Sequence, residues 1–222
     1  MWKIVAGGER HIAPAVNQFR GVVIVFAIIS IMQVKINIDG GSRGNPGPGA
    51  SAYVIRSLDG KILSQEGHFM PHCTNNQAEY TALKLALIKC KELGATELFI
   101  EGDSLLLVKQ FTGEYKIKNP DLQARMQLIR RLAQGFTIHI KHVLREFNKA
   151  PDALANKAMD EKQSVGFNPI QHLPADEEIL QQSSDNVVNG VAVTPVVRQE
   201  RPKAAAKKTS VDKRPIQPSL FD

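Results

Sequence analysis

Alternation of apolar and polar side chains is the clearest pattern in the first half of the chain. It predicts a strand over residues 32–38 and two more over residues 50–57 and 61–70. The last two strands are joined by Asp59-Gly60, a dipeptide that is typical of hairpin turns. Short connections of this kind predict an antiparallel meander of three strands.

Helical periodicity follows the meander. Thr74 and Gln77 have the spacing of a capping box, and they open a helix over residues 75–93 that ends at Gly94. The other predicted elements are a strand at 97–101, helices at 103–111 and 119–133, a strand at 136–144 and a helix at 149–162. This order predicts an α/β fold with a five-stranded mixed sheet, three antiparallel strands plus two parallel ones, flanked by helices.

The segment before the first strand is apolar near its end. The run from Val22 to Met32 contains only Ser30 as a polar residue, but eleven residues fall short of the roughly 20 that span a bilayer. We expect residues 1–31 to be an N-terminal extension that results from an upstream-extended gene start. A hydrophobic appendage packed on the domain and a membrane attachment are the alternatives.

After the last predicted helix the periodicity fades. Residues 201–218 are rich in Lys, Ala and Pro, a composition that cannot bury enough apolar surface to fold. The chain is therefore expected to contain one domain, residues 32–162, followed by a largely disordered tail over residues 163–222.

Charge and cysteine content narrow the class of protein. The net charge of the 222 residues is +6, and 18 basic against 14 acidic residues lie within 32–162. A moderately basic body fits an anionic partner such as a nucleic acid. Cys73 and Cys90 have neither metal-ligand spacing nor a CxxC pattern, so we interpret them as reduced thiols of a cytoplasmic protein.

The first candidate for chemistry is Asp39, at the predicted end of the first strand. The stretch over residues 38–49 holds five glycines and two prolines. Glycines let the backbone approach a bulky ligand closely, and the carboxylate beside them suits a metal and a phosphodiester. A plain hairpin turn is the alternative, because Asp-Gly is itself a turn signal.

Three further carboxylates have positions that deserve explanation. Glu79 shares a helix stripe with apolar residues, where a carboxylate is costly unless it is paired or metal-bound. Asp103 and Asp152 each precede or open a helix, so capping and the helix dipole are structural alternatives for them. Together the four acids stand at strand ends and helix N-termini, which a parallel crossover brings to one edge of the sheet.

These residues lie in four motifs that resemble the ribonuclease H superfamily, type 1. The motifs are Ile38-Asp39-Gly40-Gly41-Ser42-Arg43-Gly44-Asn45, Asn75-Asn76-Gln77-Ala78-Glu79, Glu101-Gly102-Asp103-Ser104, and the run from Arg145 to Asn156. They cover residues 32–162 in the family's order. The connection over residues 113–118 is too short for a basic protrusion, so the chain most resembles the compact archaeal-like, reverse-transcriptase-like subgroup.

The resemblance implies a ribonuclease H-like fold and an endoribonuclease that hydrolyses the RNA strand of RNA–DNA hybrids. Asp39, Glu79, Asp103 and Asp152 would hold two Mg²⁺ or Mn²⁺ ions about 4 Å apart, and the products would carry 5′-phosphate and 3′-hydroxyl ends. A monomer is expected. The alternative is a catalytically silent nucleic-acid adaptor of the same fold.

The resemblance also implies a set of substrate contacts. Asn75, Asn76 and Gln77 would read the 2′-hydroxyl of RNA together with the glycine-rich backbone, although helix capping is an alternative role. The complete set is Gly40, Gly41, Ser42, Arg43, Gly44, Asn45, Asn75, Asn76, Gln77, Lys116, Lys118 and Arg145. For His142, we favour an ordinary strand position over a role in product release. Leu105 departs from the family, which often has a polar residue there.

The last residues form a separate motif. Gln217-Pro218-Ser219-Leu220-Phe221 resembles the peptide by which bacterial replication and repair proteins bind the β sliding clamp. Gln217 would anchor through its amide, and Leu220 and Phe221 would fill an apolar pocket. This predicts association with the replicating nucleoid, and a tail without function is the alternative.

Overall fold

A computed structural model of the protein describes residues 18–19, 22–23, 31–186 and 196–198. The predicted meander is confirmed, and its strands are longer than predicted. They are β1 (Gln33–Ser42), β2 (Gly47–Ser57) and β3 (Ile62–Cys73), each antiparallel to the next.

The predicted crossover is also confirmed. The elements after β3 are α1 (Asn75–Glu92), β4 (Glu97–Gly102), α2 (Leu105–Phe111), α3 (Pro120–Leu132), β5 (Thr137–His142), a 3₁₀ turn (Arg145–Phe147) and α4 (Lys149–Glu161). Strand β4 runs parallel to β1, and β5 runs parallel to β4. The fold is thus the α/β arrangement that the hydrophobic pattern predicts.

Strand β1 continues past the predicted turn at Asp39-Gly40. Asp39 pairs with Ala52 and Ser42 pairs with Gly49, so the chain reverses only between β1 and β2. The prediction that Asp39 ends the strand, and the alternative of a hairpin turn at Asp39-Gly40, are both wrong. Glycine is also compatible with extended backbone, so the Asp39-Gly40 dipeptide does not have to form a turn. The turn predicted from it was therefore placed too early in the chain.

Two layers of helices cover the sheet. Val34, Ile36 and Ile38 of β1 are fully buried in the main core with side chains of α1, α3, β4 and β5. A smaller cluster on α4 and β2 is made of Ala50, Ala52, Ala155, Ala158 and Met159. The small alanine side chains allow α4 to lie close to β2, which brings its first turn to the edge where β1 carries Asp39.

The helix caps follow the sequence closely. Thr74 Oγ1 accepts a hydrogen bond from the Gln77 amide at 3.2 Å, and Gln77 Oε1 accepts one from the Thr74 amide at 2.9 Å. The capping box and the left-handed Gly94, with φ of 71°, are therefore confirmed. At α2 the cap is Ser104, whose Oγ accepts from the Leu107 amide at 3.3 Å. The capping explanation for Asp103 is wrong, and its carboxylate is available for another purpose.

Described elements continue past residue 162, inside the segment predicted to be a largely disordered tail, and residues 187–195 and 199–222 of that segment lie outside the described residues. Three more elements follow, namely β6 (Val165–Phe167), α5 (Asp176–Asn186) and β7 (Val196–Arg198). Strand β6 pairs antiparallel with β3 and β7 pairs parallel with β5. Among the described residues, the sheet therefore has seven strands in the order β6-β3-β2-β1-β4-β5-β7, with the five predicted strands at its centre.

Buried contacts attach this continuation to the domain. Ile179 of α5 is 5% exposed and belongs to the main core. Lys89 of α1 is 2% exposed, and its Nζ donates to Asn168 Oδ1 at 3.3 Å, to Pro169 O at 2.9 Å and to Glu92 Oε2 at 2.9 Å. Asn168 and Pro169 are about 80 positions from Lys89, so local periodicity did not reveal that the fold continues past residue 162.

Two predictions concern the ends of the chain, where few residues are described. Of residues 1–31, Gln18–Phe19 and Val22–Val23 form a short antiparallel pair, and Ile31 precedes β1. The clamp-like residues Gln217, Leu220 and Phe221 lie outside the described residues. In the ranges that the structure covers, none of the helices combines the length and the apolar character that a membrane span needs.

Candidate active site

Four acidic side chains line one cleft of about 390 Å³ at the edge of the sheet. Asp39 comes from the middle of β1, Glu79 from the second turn of α1, Asp103 follows β4, and Asp152 lies in the first turn of α4. The convergence that the sequence predicted is thus present in the described part of the chain. The other lining residues are Gly40, Gly41, Ser42, Arg43, Asn75, Arg145, Ala155, Asn156 and Met159.

Three of the four acids form a tight group. Asp39, Glu79 and Asp103 each offer a carboxylate oxygen, and these oxygens lie within 4.8 Å of one another. Asp152 is not part of that group. Its Oδ1 accepts a hydrogen bond from Arg145 Nη2 at 2.9 Å, so it borders the group on the side of α4.

Burial and mutual repulsion make it costly for Asp39, Glu79 and Asp103 to be ionised together. Asp39 is 8% exposed, and its burial, reinforced by the charges of Asp103 and Asp152, raises its pKa to about 7. Burial, followed by the charges of Asp39 and Asp103, raises the pKa of Glu79 well above its usual range. Glu79 Oε2 is buried and has no hydrogen-bond partner among the residues described. Clustered acids of this kind are costly without a bound cation.

The donor set fits a hard divalent cation. Three carboxylates with mutually close oxygens are the ligands that Mg²⁺ and Mn²⁺ favour. A bound cation would also satisfy the buried Glu79 Oε2, because buried polar atoms normally have a partner. Asp39, Glu79 and Asp103 could therefore hold a metal ion, with Asp152 available at the rim of the cleft.

Gly40 explains how two of the acids come together. A Cβ atom at Gly40 would lie 2.4 Å from the Ala78 carbonyl carbon and 2.4 Å from the Glu79 amide nitrogen. Only a glycine lets β1 and α1 meet backbone to backbone at this point. The contact places Asp39, which precedes Gly40, beside Glu79.

Hydrogen bonds fix the polar wall of the cleft between β1 and α1. Asn75 Oδ1 accepts from the Ser42 amide and from Ser42 Oγ, both at 2.8 Å. Asn45 Oδ1 in turn accepts from the Asn75 amide at 3.1 Å. Asn75 therefore does more than open a helix: it ties the end of β1 to the first turn of α1.

Some predicted substrate contacts lie away from the acids. Gln77 uses its carbonyl oxygen for the cap, and its Nε2 donates to Asp121 Oδ2 at 3.0 Å. Asn76 is exposed on the first turn of α1, and Gly44 lies in the turn after β1 with φ of 95°. Lys116 lines a separate cleft of about 420 Å³ with Tyr115 and Arg130, and Lys118 lies between α2 and α3.

The remaining candidates sit at the rim. Arg145 lines the cleft and its side chain is 78% exposed. His142 is the last residue of β5, as the strand interpretation predicted, and its Nε2 lies 3.1 Å from the Asp103 carbonyl oxygen. Leu105 is exposed at the first position of α2.

Sequence reasoning assigned no role to two polar residues of the site. Asn156 lines the cleft, and its position four residues after Asp152 on α4 is the signal that could have revealed it. Asn148 is buried behind the acids, and its amide donates to Asp103 Oδ1 at 3.1 Å. No local pattern could have revealed that contact, because the two residues are 45 positions apart.

Comparisons with known proteins agree with this geometry. The model of the family described as reverse transcriptase-like matches residues 37–158, more than half of the chain. The crystal structure of ribonuclease H1 from the halophilic archaeon Halobacterium salinarum is 43% identical, with a TM-score of 0.57, and the match covers 58% of this chain and 98% of that one. The N-terminal ribonuclease H domain of Rv2228c from Mycobacterium tuberculosis is 40% identical, with a TM-score of 0.56, over 59% of this chain and 95% of that one.

A third relative has been solved with a nucleic acid. LC11 ribonuclease H1, isolated from compost, was crystallised with an RNA/DNA hybrid and is 34% identical to this chain. The match has a TM-score of 0.56 and covers 58% of this chain and 98% of that one. Full-length relatives are longer than the match, since the chain spans 65% of the Halobacterium ribonuclease HI and 36% of the bifunctional Rv2228c.

The mixed sheet and the acidic cleft at its edge define a ribonuclease H-like fold. The chain belongs to the reverse transcriptase-like family, and its matched segment is similar to the type 1 ribonucleases H compared above.

Proposed function

We propose that this protein is an endonuclease that hydrolyses the RNA strand of RNA–DNA hybrids with two divalent metal ions. The observation that carries the proposal is the buried, unpartnered Glu79 Oε2 within the group formed by Asp39, Glu79 and Asp103. Such a group is unstable by itself and becomes favourable when cations bind. Similarity to LC11 ribonuclease H1, crystallised with an RNA/DNA hybrid, supports the choice of substrate.

The acids have distinct proposed tasks. Asp39, Glu79 and Asp103 would hold the ions through their mutually close carboxylate oxygens, with Asp152 available at the rim of the cleft. Bound Mg²⁺ or Mn²⁺ would lower the pKa of the attacking water and stabilise charge on the leaving 3′-oxygen. Departure of that oxygen yields 5′-phosphate and 3′-hydroxyl ends.

The polar wall and the rim are proposed to hold the hybrid. Ser42 and Asn75 are fixed by their mutual hydrogen bonds, so they present a preorganised surface beside the acids for the RNA strand and its 2′-hydroxyls. Gly40, Gly41 and Arg43 line the same cleft and extend this surface, and Asn76 is exposed next to Asn75. Arg145, with its largely exposed guanidinium, and the more distant Lys116 and Lys118 would contact backbone phosphates.

A cleavage assay tests the proposal directly. We expect the wild-type protein to cut a hybrid with a labelled RNA strand when Mg²⁺ or Mn²⁺ is present, and removal of the metal with EDTA to abolish cutting. Single-stranded RNA and duplex DNA of the same sequence are the controls. Binding of the hybrid without cleavage under all metal conditions would favour the adaptor alternative, and analysis of product ends checks the 5′-phosphate.

We further propose that Gln217, Leu220 and Phe221 bind the bacterial β sliding clamp and so concentrate the enzyme at replicating DNA. The support is the peptide sequence alone. Replacing Leu220 and Phe221 by alanine is expected to abolish binding of the full-length protein to immobilised clamp, while hybrid cleavage without clamp stays unchanged. Equal clamp binding by the wild type and the double variant would contradict the proposal.

A further inference from the structure

Asn148 stands at the N-cap of α4, yet its side chain does not cap that helix. Asparagine is a favoured N-cap because its side-chain oxygen accepts a hydrogen bond from the first turn. In the described structure, Asn148 makes no such bond to α4, although its side chain is almost fully buried, with 1% of the residue exposed. The side chain is therefore used elsewhere.

Its amide is directed at the acidic group. Asn148 Nδ2 donates to the Ile38 carbonyl oxygen at 2.7 Å and to Asp103 Oδ1 at 3.1 Å, and its Oδ1 lies 3.4 Å from the Asn37 Nδ2 donor. If the Asn148 amide were rotated by 180°, its oxygen would face two other acceptors, the Ile38 carbonyl oxygen and Asp103 Oδ1. The contacts thus fix which way the amide points.

The contacts join the segments that carry three of the four acids. Ile38, whose carbonyl oxygen accepts from Asn148, directly precedes Asp39 on β1. Asp103 accepts from Asn148 through its own carboxylate. The Asn148 carbonyl oxygen also lies 3.4 Å from the Asp152 amide nitrogen, which donates to it. One residue therefore connects β1, the end of β4 and the first turn of α4.

We propose that Asn148 is a positioning residue that fixes the Asp103 carboxylate against Asp39 and Glu79 for metal binding. By holding Asp103 Oδ1, the amide limits rotation of that carboxylate, and its bond to the Ile38 carbonyl anchors the start of α4 to β1 beside the site. The inference rests on the proposed function, since it concerns the same acids. It adds a residue that does not itself contact metal or substrate.

The expected loss on replacing Asn148 follows from other residues that hydrogen-bond to a metal ligand without binding the metal themselves. Loss of such a partner typically costs about 10–100-fold in metal affinity or activity. Asn148→Ala removes the donor. Asn148→Asp keeps the shape but places a carboxylate oxygen against Asp103 and the Ile38 carbonyl, so the larger loss is expected for Asn148→Asp.

Calorimetric titration of the full-length protein with Mn²⁺, without nucleic acid, is the decisive measurement. We expect both variants to bind Mn²⁺ about 10–100-fold more weakly than the wild type. In parallel, kcat for hybrid cleavage should fall while KM for the hybrid changes little, because the substrate surface at Ser42 and Asn75 is intact. Raising the metal concentration should recover part of the lost kcat.

Asn168→Ala provides a matched control for stability. Asn168 also donates to a backbone carbonyl, Leu63 O at 2.9 Å, and accepts from a charged partner, Lys89 Nζ, but it lies outside the cleft. Its loss should lower the melting temperature without changing Mn²⁺ affinity. If Asn148→Ala behaved in the same way, with unchanged Mn²⁺ affinity, Asn148 would be purely structural and the proposal would be overturned.

Two further outcomes separate this inference from the proposed function. If Asn148→Ala fails to fold, Asn148→Asp takes its place, and wild-type Mn²⁺ affinity in a folded Asn148→Asp protein overturns the positioning role. If the wild type binds Mn²⁺ but cuts no hybrid, the proposed substrate is wrong. Weakened Mn²⁺ binding by the Asn148 variants would still support positioning in that case.

Discussion

Replacement of Asp39 by asparagine is expected to lower hybrid cleavage by about three orders of magnitude and to stabilise the metal-free protein. The substitution removes a proposed metal ligand at nearly constant shape, and metal stabilisation of the transition state is worth several kcal/mol, about 1.4 kcal/mol for each factor of ten. Hybrid binding should persist and weaken with salt, because it depends on phosphate contacts.

The gain in stability follows from the raised pKa of Asp39. The pKa is 3.8 for an unperturbed Asp and about 7 in the folded protein, so the folded state binds the proton more tightly than the unfolded state. Between these values the metal-free protein loses stability as the pH rises. The asparagine amide of Asp39→Asn is uncharged, so its burial does not carry the cost of a buried carboxylate. The melting temperature of the metal-free variant at neutral pH should therefore exceed that of the wild type by a few degrees, at roughly 2–4 °C for each kcal/mol.

Asp176→Asn is the matched control for the Asp39 variant. It also removes one negative charge, but Asp176 pairs with Lys84 at the start of α5 and does not line the acidic cleft. Its turnover should equal that of the wild type. Wild-type turnover by Asp39→Asn, measured with the same labelled hybrid, would exclude Asp39 as an essential ligand.

Gly40→Ala is expected to destabilise the fold and to disrupt the site together. The new methyl group would meet the Ala78 carbonyl carbon and the Glu79 amide nitrogen at 2.4 Å, and backbone atoms cannot move aside as a flexible side chain can. Overpacking of this kind costs about 1–3 kcal/mol. The displaced helix would carry Glu79 away from Asp39, and a shift of about 1 Å at a catalytic group can cost roughly 100-fold in rate.

Thermal unfolding and Mn²⁺ titration check the Gly40 prediction. Gly41→Ala is the control for stability, because a Cβ at Gly41 would meet no described atom within 4 Å. Its melting temperature should stay close to that of the wild type. A Gly40→Ala protein with unchanged melting temperature and Mn²⁺ affinity would show that β1 and α1 can separate without consequence.

Structural features that depend on a few neighbouring residues were predicted well from the sequence. Thr74 with Gln77 and the left-handed Gly94 bounded α1 correctly, because capping depends on residues three or four positions apart. The same local reasoning left Asp103 ambiguous. Only the structure assigns the cap to Ser104, since adjacent Asp and Ser residues are equally good caps.

Features that depend on distant contacts could not be predicted in this way. The close approach at Gly40 involves residues nearly forty positions away, and the Asn148 amide reaches Asp103 across 45 positions. The packing of Ile179 and the partners of Lys89 are non-local in the same sense. The sequence therefore predicted the five central strands and the convergence of the acids, while the contacts that hold the acids in one cleft required the three-dimensional structure.

The contacts that Ile179 and the partners of Lys89 make with the domain have a consequence for how the protein can be divided. The family match ends at residue 158, inside α4, whereas the core extends to Ile179. A fragment ended at residue 158 would cut α4, the helix that carries Asp152, and would remove Asn168 and Pro169, which accept from the Lys89 ammonium, together with the apolar cover that Ile179 provides. The family match and the buried core of this chain thus end at different residues.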